Sequence, residues 1–400
     1  MRILHILHEF PYPPNSGVRC DMWRRLLAFK ELGHEVMAIA WVSERAGELP
    51  SASEMEVVRQ NTDRFMLLTI ADRIATKARR LWNLRKYPSY IASRIPPSGE
   101  RRQIRKAVEE FSPDLIWVEG VHPTWLALDL KARLGIPLAY RSHNIEARYV
   151  KEQASLARSP RLKLALLAGT LGLEKAERAV LNRADHIFDI SMDDLSYWRS
   201  EGIGPISWLA PQADSSMLRA DAAHTPDIDL LFVGSLVSPN NIAGLLWYLD
   251  EVHPKIQQSM PDVRVVVAGR SPPPELAERL AASGVDMIAD PVDVTPLFRR
   301  ARVMLNPILH GSGINIKTID MLATGQPVLT TTKGARGLPE DVVAQLLVAD
   351  DPHILAKDVV DTISLERGGQ ERAASRMAMI AKYFGTGAVA EALAAMRPAA

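Results

Sequence analysis

From Asn306 to Gly337 the chain reads NPILHGSGINIKTIDMLATGQPVLTTTKGARG, and this stretch decides the fold class. It is an apolar strand end, a Gly-Ser-Gly turn, a helix and a second strand. The turn Gly311-Ser312-Gly313 lets the backbone bend tightly and present its amides. A helix beginning near Ile314 directs its free N–H groups and the positive end of its dipole at that turn, which makes an anion site. Lys317 falls in the first helical turn, where a cation is disfavoured unless a negative group compensates it. A bound phosphate supplies that compensation. The plain alternative is a helix that starts after a glycine turn.

The same alternation extends in both directions. Upstream, strands are expected over 3–8, 35–42, 115–119, 138–141 and 186–191, with a loop over 11–17 and an amphipathic helix over 18–32 closed by Gly33. Strands over 230–234, 263–268, 287–288, 303–307 and 327–331 repeat the theme. Two successive sets of alternating elements predict an α/β protein of two doubly wound, Rossmann-like domains. The weakly patterned stretch 217–226 places the boundary, giving domains over 1–218 and 219–380 and a terminal helix over 381–400 that returns to the first domain. In such sheets ligands bind beyond the carboxyl ends of the strands, so the loops there carry the function.

The chain has 400 residues, enough for two or three cores, and its net charge of +1 gives no global field for nucleic acid. A single cysteine, Cys20, excludes an internal disulfide and a cysteine metal cluster. The opening MRILHILH lacks a cleavage region and runs into PYPPNSG, so it reads as a buried strand rather than a leader. No apolar run approaches the ~20 residues of a membrane span. A cytoplasmic location is the expectation, on the inner membrane face if the basic stretch below engages lipid.

The run from Gly311 to Thr331, GSG-x-x-x-K-x-x-D-M-L-A-T-G-Q-P-V-L-T-T, is preceded by FVGSLVSPNN and VVVAGR and resembles the donor-binding domain of family 4 retaining glycosyltransferases. PPNSGVRCDMWRRLLAFKELGHEV and YRSHNIEARY resemble the first loop and the acceptor-side segment of the same family. The resemblance implies the GT-B fold and transfer of a hexose-type sugar, with retention, from a nucleotide diphosphate sugar linked to uridine or guanosine. The acceptor it implies is a saccharide or a lipid-linked saccharide, as in cell-surface polysaccharide synthesis.

The implied donor site comprises Gly17, Gly234, Ser235, Arg270, Val292, Gly311, Ser312, Gly313, Ile314, Asn315 and Ile316, with Lys317 and Arg270 as phosphate cations. The developing charge on the leaving diphosphate suits helix amides and an ammonium, without metal or other cofactor. Arg270 reads equally as a surface arginine, Asp293 beside Val292 as a helix cap, and Gly17 as a turn capped by Ser16. The family usually has two acids eight positions apart here; this chain has Ser312 and Asp320, leaving Asp320 to bind a ribose hydroxyl or to pair with Lys317. Where the family often presents a basic residue after Gly234-Ser235, Ser238, Asn240 and Asn241 stand instead. His143 is expected at the transferred sugar, as a contact or as an acid or base near neutral pH; Asn144, Glu146 and Arg148 are acceptor candidates, the last two equally suited to a solvated helix.

Other chemistries find no motif. G-x-G-x-x-G after the first strand and the P-loop pattern are absent, and Asp227-Ile228-Asp229 opens a strand instead of closing one. From Arg73 to Lys106, cations interleave with Leu81, Trp82, Leu84, Tyr87 and Tyr90. That texture suits an anionic membrane surface, a solvated insertion, or a face for an anionic acceptor. The apolar stretch 162–173 is a second interfacial candidate or a core helix. An epimerase or hydrolase of the same fold, or a non-catalytic GT-B partner protein, remains the alternative reading.

Overall fold

The computed structural model describes residues 1–44, 49–71, 73–85, 87–92, 94–157, 159–214, 226–310, 313–365 and 378–396. Gly311, Ser312 and the expected 218/219 boundary lie outside them. The chain divides into two units, Met1–Ala210 with Ala388–Ala400, and Pro211–Gly387. The division therefore falls earlier than the sequence pattern placed it, at Ala210-Pro211.

The first unit is a seven-stranded sheet. Its strands are β1 (Arg2–Ile6), β2 (Glu35–Ser43), β3 (Arg64–Ile70), β4 (Leu115–Glu119), β5 (Leu138–Ser142), β6 (His186–Asp189) and β7 (Ile206–Trp208). The order is β3-β2-β1-β4-β5-β6-β7 and every pairing is parallel. A parallel sheet covered on both faces needs apolar side chains on both, which is why RILHI and EVMAIAWVS read as continuous apolar runs. Alternation sorts them: Leu4, Ile6, Met37, Ile39, Ile116 and Val118 enter one core. Ile3, Val36, Ala38, Leu115, Trp117 and Ala139 enter the other, under Met22, Leu26 and Phe29 of the helix Gly17–Glu31. Val389, Ala392 and Leu393 of the last helix, Thr386–Ala395, belong to that second core.

The second unit holds a six-stranded sheet of order β10-β9-β8-β11-β12-β13. Its strands are β8 (Ile228–Val233), β9 (Val265–Gly269), β10 (Asp286–Ala289), β11 (Ala301–Asn306), β12 (Val328–Thr330) and β13 (Leu347–Val348), again all parallel. In each sheet the winding reverses once, between β1 and β4 and between β8 and β11. The carboxyl ends of those four strands flank the crevices where such folds bind ligands.

One expectation is corrected: the first helix runs Gly17–Glu31, capped by Ser16, so Gly17 is its first residue rather than part of a preceding turn. The basic stretch from Arg73 to Lys106 carries the helix Ile74–Asn83 and the start of Ser98–Phe111, which turns Ile104, Val108 and Phe111 into the core.

Candidate active site

Strand alternation also gathers charge. His5, Glu119 and Arg141 share the sheet face of Ile3, Trp117 and Ala139, and the covering helix sets Asp21 and Arg25 against them. All five are buried. Glu119 Oε1 accepts from Trp117 Nε1 at 2.9 Å and lies 3.0 Å from His5 Nε2, and its Oε2 lies 2.9 Å from His143 Nε2. Asp21 Oδ2 accepts from Arg141 Nε at 3.0 Å and lies 3.4 Å from His143 Nε2, and its Oδ1 accepts from Arg25 Nη2 at 3.3 Å. Arg141 also donates to the Leu209 carbonyl and Arg25 to the Ala210 carbonyl.

This network fixes protonation. Burial opposes charge on His143, but the Asp21 and Glu119 carboxylates overcome it and raise the ring from 6.5 to about 9. Burial pushes Glu119 upward, and hydrogen bonds and charge from His143 and His5 more than reverse this. Asp21, likewise opposed by burial, is held at about 2 by Arg141 and Arg25. The two carboxylates thus favour the imidazolium form of His143 at neutral pH, a hydrogen-bond donor that carries charge and can still give up its proton as an acid. Its Nε2 is engaged by the carboxylates, leaving Nδ1 as the free end. His8, 5.8 Å away ring to ring, is driven to about 3 by burial and the charges of His143 and Arg94, and His122, stacked on His8 at 5.3 Å, is also lowered by burial.

Asp21, Glu119 and His143 offer ligand atoms within 4.8 Å of one another. Their oxygens already serve Arg25, Arg141 and the imidazolium, so a divalent ion would displace a proton and stand against two guanidiniums. The donor set does not fit a metal.

The other acceptor candidates differ in setting. Glu146 is buried at the start of the helix Glu146–Leu156 and is raised to about 7 by burial, which excludes the solvated-helix reading for it. Its backbone N–H donates to Glu177 Oε1 at 2.8 Å, and burial raises Glu177 to about 8. Asn144 is half-buried, its carbonyl 3.5 Å from Ser142 Oγ. Arg148 is exposed, its guanidinium stacked 3.7 Å over the Tyr197 ring.

In the second unit the helix after the glycine turn is Ile316–Ala323, starting later than Ile314; its N-cap Asn315 supplies no side-chain cap, and Gly313 has φ of +71°. Lys317 is its second residue. The ammonium lies 4.7 Å over the Phe232 ring and donates to Asn241 Oδ1 at 2.7 Å, not to Asp320. Asn241 Nδ2 donates in turn to the Ser235 carbonyl at 2.7 Å. Burial lowers Lys317 to about 7, with no carboxylate to restore it. The backbone closes in around it: a Cβ on Gly234 would stand 3.3 Å from Lys317 Cδ, and one on Gly269 would stand 1.8 Å from the Gly234 carbonyl oxygen. Gly234, Ser235 and Lys317 thus meet at one place. Phe232 and Asn241, which orient the lysine, were visible in FVGSLVSPNN only as an apolar residue and a polar loop residue.

Asp320 is half-buried, and its Oδ1 accepts from the Asp214 backbone N–H at 3.2 Å. Arg270 is exposed at the end of β9, and its carbonyl accepts from Leu236 N at 3.0 Å. Val292 is fully exposed, and Asp293 Oδ1 accepts from Thr295 N at 2.8 Å, although the N-cap of the helix Thr295–Arg300 is Val294, one position later than the sequence placed it.

Residues 17–211 match the model of the glycosyl transferase 4-like domain, and residues 227–364 match that of the glycosyl transferases group 1. The chain is 25% identical over 397 residues, 96% of each chain, to an uncharacterized 44.6 kDa protein in the cps region of Klebsiella pneumoniae. Anabaena Alr3699/HepE, solved with UDP, superposes with a TM-score of 0.63 at 12% identity, over 99% of this chain and all of that one. Sucrose-phosphate synthase from Thermosynechococcus elongatus gives 0.65 at 13% identity, over 99% and 98% of the two chains. These structures share the two-domain GT-B fold. By its sequence families and its fold together, the chain belongs to the group 1 glycosyltransferases and is a glycosyltransferase.

Proposed function

We propose that the enzyme moves a hexose-type sugar from a uridine or guanosine diphosphate sugar to a saccharide or lipid-linked saccharide, with retention and without a metal. The observation that carries the donor reading is Lys317: a lysine at a helix N-terminus, held over Phe232 by Asn241 and lacking a carboxylate, is completed by a diphosphate. That diphosphate returns the ammonium's charge, and the ammonium and helix amides stabilise the leaving group. Anabaena Alr3699/HepE has been solved with UDP-glucose and with UDP and glucose, which favours uridine.

On the acceptor side, the Nδ1 of charged His143 donates to the transferred sugar, and Asn144 and Glu146 face the incoming hydroxyl. Asp320 contacts the donor ribose, and Arg270 adds a second cation at the diphosphate. The relative in the cps region supports a role in polysaccharide synthesis. Among the described residues no helix is long and apolar enough to cross a membrane. Exposed Ile74, Leu81 and Trp82 on one helix and Leu162, Leu164 and Leu167 on another support peripheral contact with a bilayer.

The test is thermal-shift screening against nucleoside diphosphates and their sugars, metal-free and then with magnesium. One nucleotide raising the melting temperature without metal is expected. No shift with any nucleotide overturns the donor site.

A further inference from the structure

The first unit contains a second group of cations that the donor chemistry does not use. Beyond the carboxyl end of β3 lies an open cleft lined by Ile70, Arg79, Arg80, Arg94 and Glu100 among others. Arg79 and Arg80 come from the helix Ile74–Asn83. Arg94 follows on the segment before the next helix.

Two of the three guanidiniums are anchored to carbonyls rather than to acids. Arg80 stacks 4.0 Å over the Tyr90 ring and donates from Nη2 to the Tyr90 carbonyl at 2.6 Å. Its Nε is buried with no partner. Arg94 donates from Nη1 to the His8 carbonyl at 2.6 Å. Among the described residues, no carboxylate forms an ion pair with Arg79, Arg80 or Arg94; nearby Glu9 is taken up by Arg19, at 3.1 Å. Burial, and after it the charge of Arg80, lowers Arg94 to about 10 against the opposing pull of Glu9 and Glu146, so the two guanidiniums repel each other. Both charges also reach His122, which connects the cavity through His8 to His143.

A cavity that assembles three cations against one unpaired glutamate, with a buried guanidinium N–H unsatisfied, is completed by an oxyanion of more than one charge. Guanidinium forks match phosphate oxygens in geometry as well as sign. We propose that Arg79, Arg80 and Arg94 form a phosphate subsite that holds the phosphate or diphosphate of the acceptor beside His143. The proposal rests on the reading of the first unit as the acceptor side. It names the acceptor's chemistry: a saccharide joined through phosphate to its carrier.

Inorganic pyrophosphate is the probe, titrated into the full chain by thermal shift with UDP at saturation. Pyrophosphate is expected to raise the melting temperature in the presence of UDP. Arg79→Ala with Arg80→Gln should weaken its Kd by about tenfold or more while leaving the UDP shift in place. Arg79→Ala alone, at an exposed position, guards against a folding defect and should act in the same direction. A pyrophosphate shift that UDP abolishes, or that both variants retain within about twofold, overturns the subsite. Loss of sedimentation with phosphatidylglycerol vesicles in the variants, with no pyrophosphate shift in the parent protein, assigns the arginines to the bilayer surface and overturns it too. A UDP shift without a pyrophosphate shift sinks the subsite alone; the reverse sinks the donor reading alone.

Discussion

Replacing Glu119 by glutamine tests the charged state of His143 with little change of shape. The ring rises from 6.5 to about 9 in the folded protein, which at ~1.36 kcal/mol per pH unit is ~3 kcal/mol of preference for imidazolium. Two carboxylates share that preference, and Glu119 is the nearer, at 2.9 Å against 3.4 Å for Asp21. The hydrogen bonds of Asp21 and Glu119 are the two leading favourable effects, so Glu119→Gln, which removes one carboxylate, should lower the pKa of His143 by about one unit, ~1.4 kcal/mol. Because the folded value lies above the unfolded one, this stabilisation is complete below pH 6.5 and is lost as pH rises through about 9. In the variant the loss moves toward neutrality. NMR titration of ring-labelled histidines reads it directly, with His143→Gln assigning the signal among the ten histidines. The basic limb of kcat/KM should move down with it. A wild-type His143 titrating at 7 or below, or one unmoved by Glu119→Gln, would refute the account.

Three further outcomes follow from the same geometry. With Lys317 at about 7 in the free protein, UDP binding at pH 8 should take up a proton, visible by calorimetry in buffers of different ionisation enthalpy, and affinity should fall as pH rises past neutrality. Lys317→Ala should remove that uptake, raise donor KM and lower kcat together. Arg141→Met leaves buried Asp21 short of a cation and should cost ~3–5 kcal/mol by chemical denaturation, less when combined with Asp21→Asn. Gly269→Ala places a methyl 1.8 Å from the Gly234 carbonyl oxygen, so its melting temperature and UDP binding should both drop, whereas Gly33→Ala, with open space around it but φ of +76°, should show the smaller loss.

The central strands were legible because a strand buried on both faces must be apolar throughout, as in RILHI and VVVAG. The edges were not. β3, RFMLLTI, buries only Leu68 fully, and β7 and β13 have three and two residues, too short to carry a period. Lys317 was readable from its place after a glycine turn, since helix electrostatics are local in sequence. The partners of His143 were not: Asp21 and Glu119 lie 122 and 24 positions away by number, joined by sheet order and helix packing. Asp21 read as one more polar position on an amphipathic helix. Cavities such as that at Arg79, Arg80 and Arg94 are likewise products of packing, although the density of cations from Arg73 to Lys106 was a signal of composition.

The helix Thr386–Ala395 closes the core of a unit whose other members lie between Met1 and Ala210. Synthesis is vectorial, so the first two hundred residues emerge from the ribosome without the side chains of Val389, Ala392 and Leu393 that complete their hydrophobic interior. The second unit is contiguous and can mature as it emerges; the first must wait until the second has been made. Expression of 1–210 alone would leave that apolar face open, and tethering 388–396 to it through a short linker is the rational way to obtain the first unit as a separate molecule.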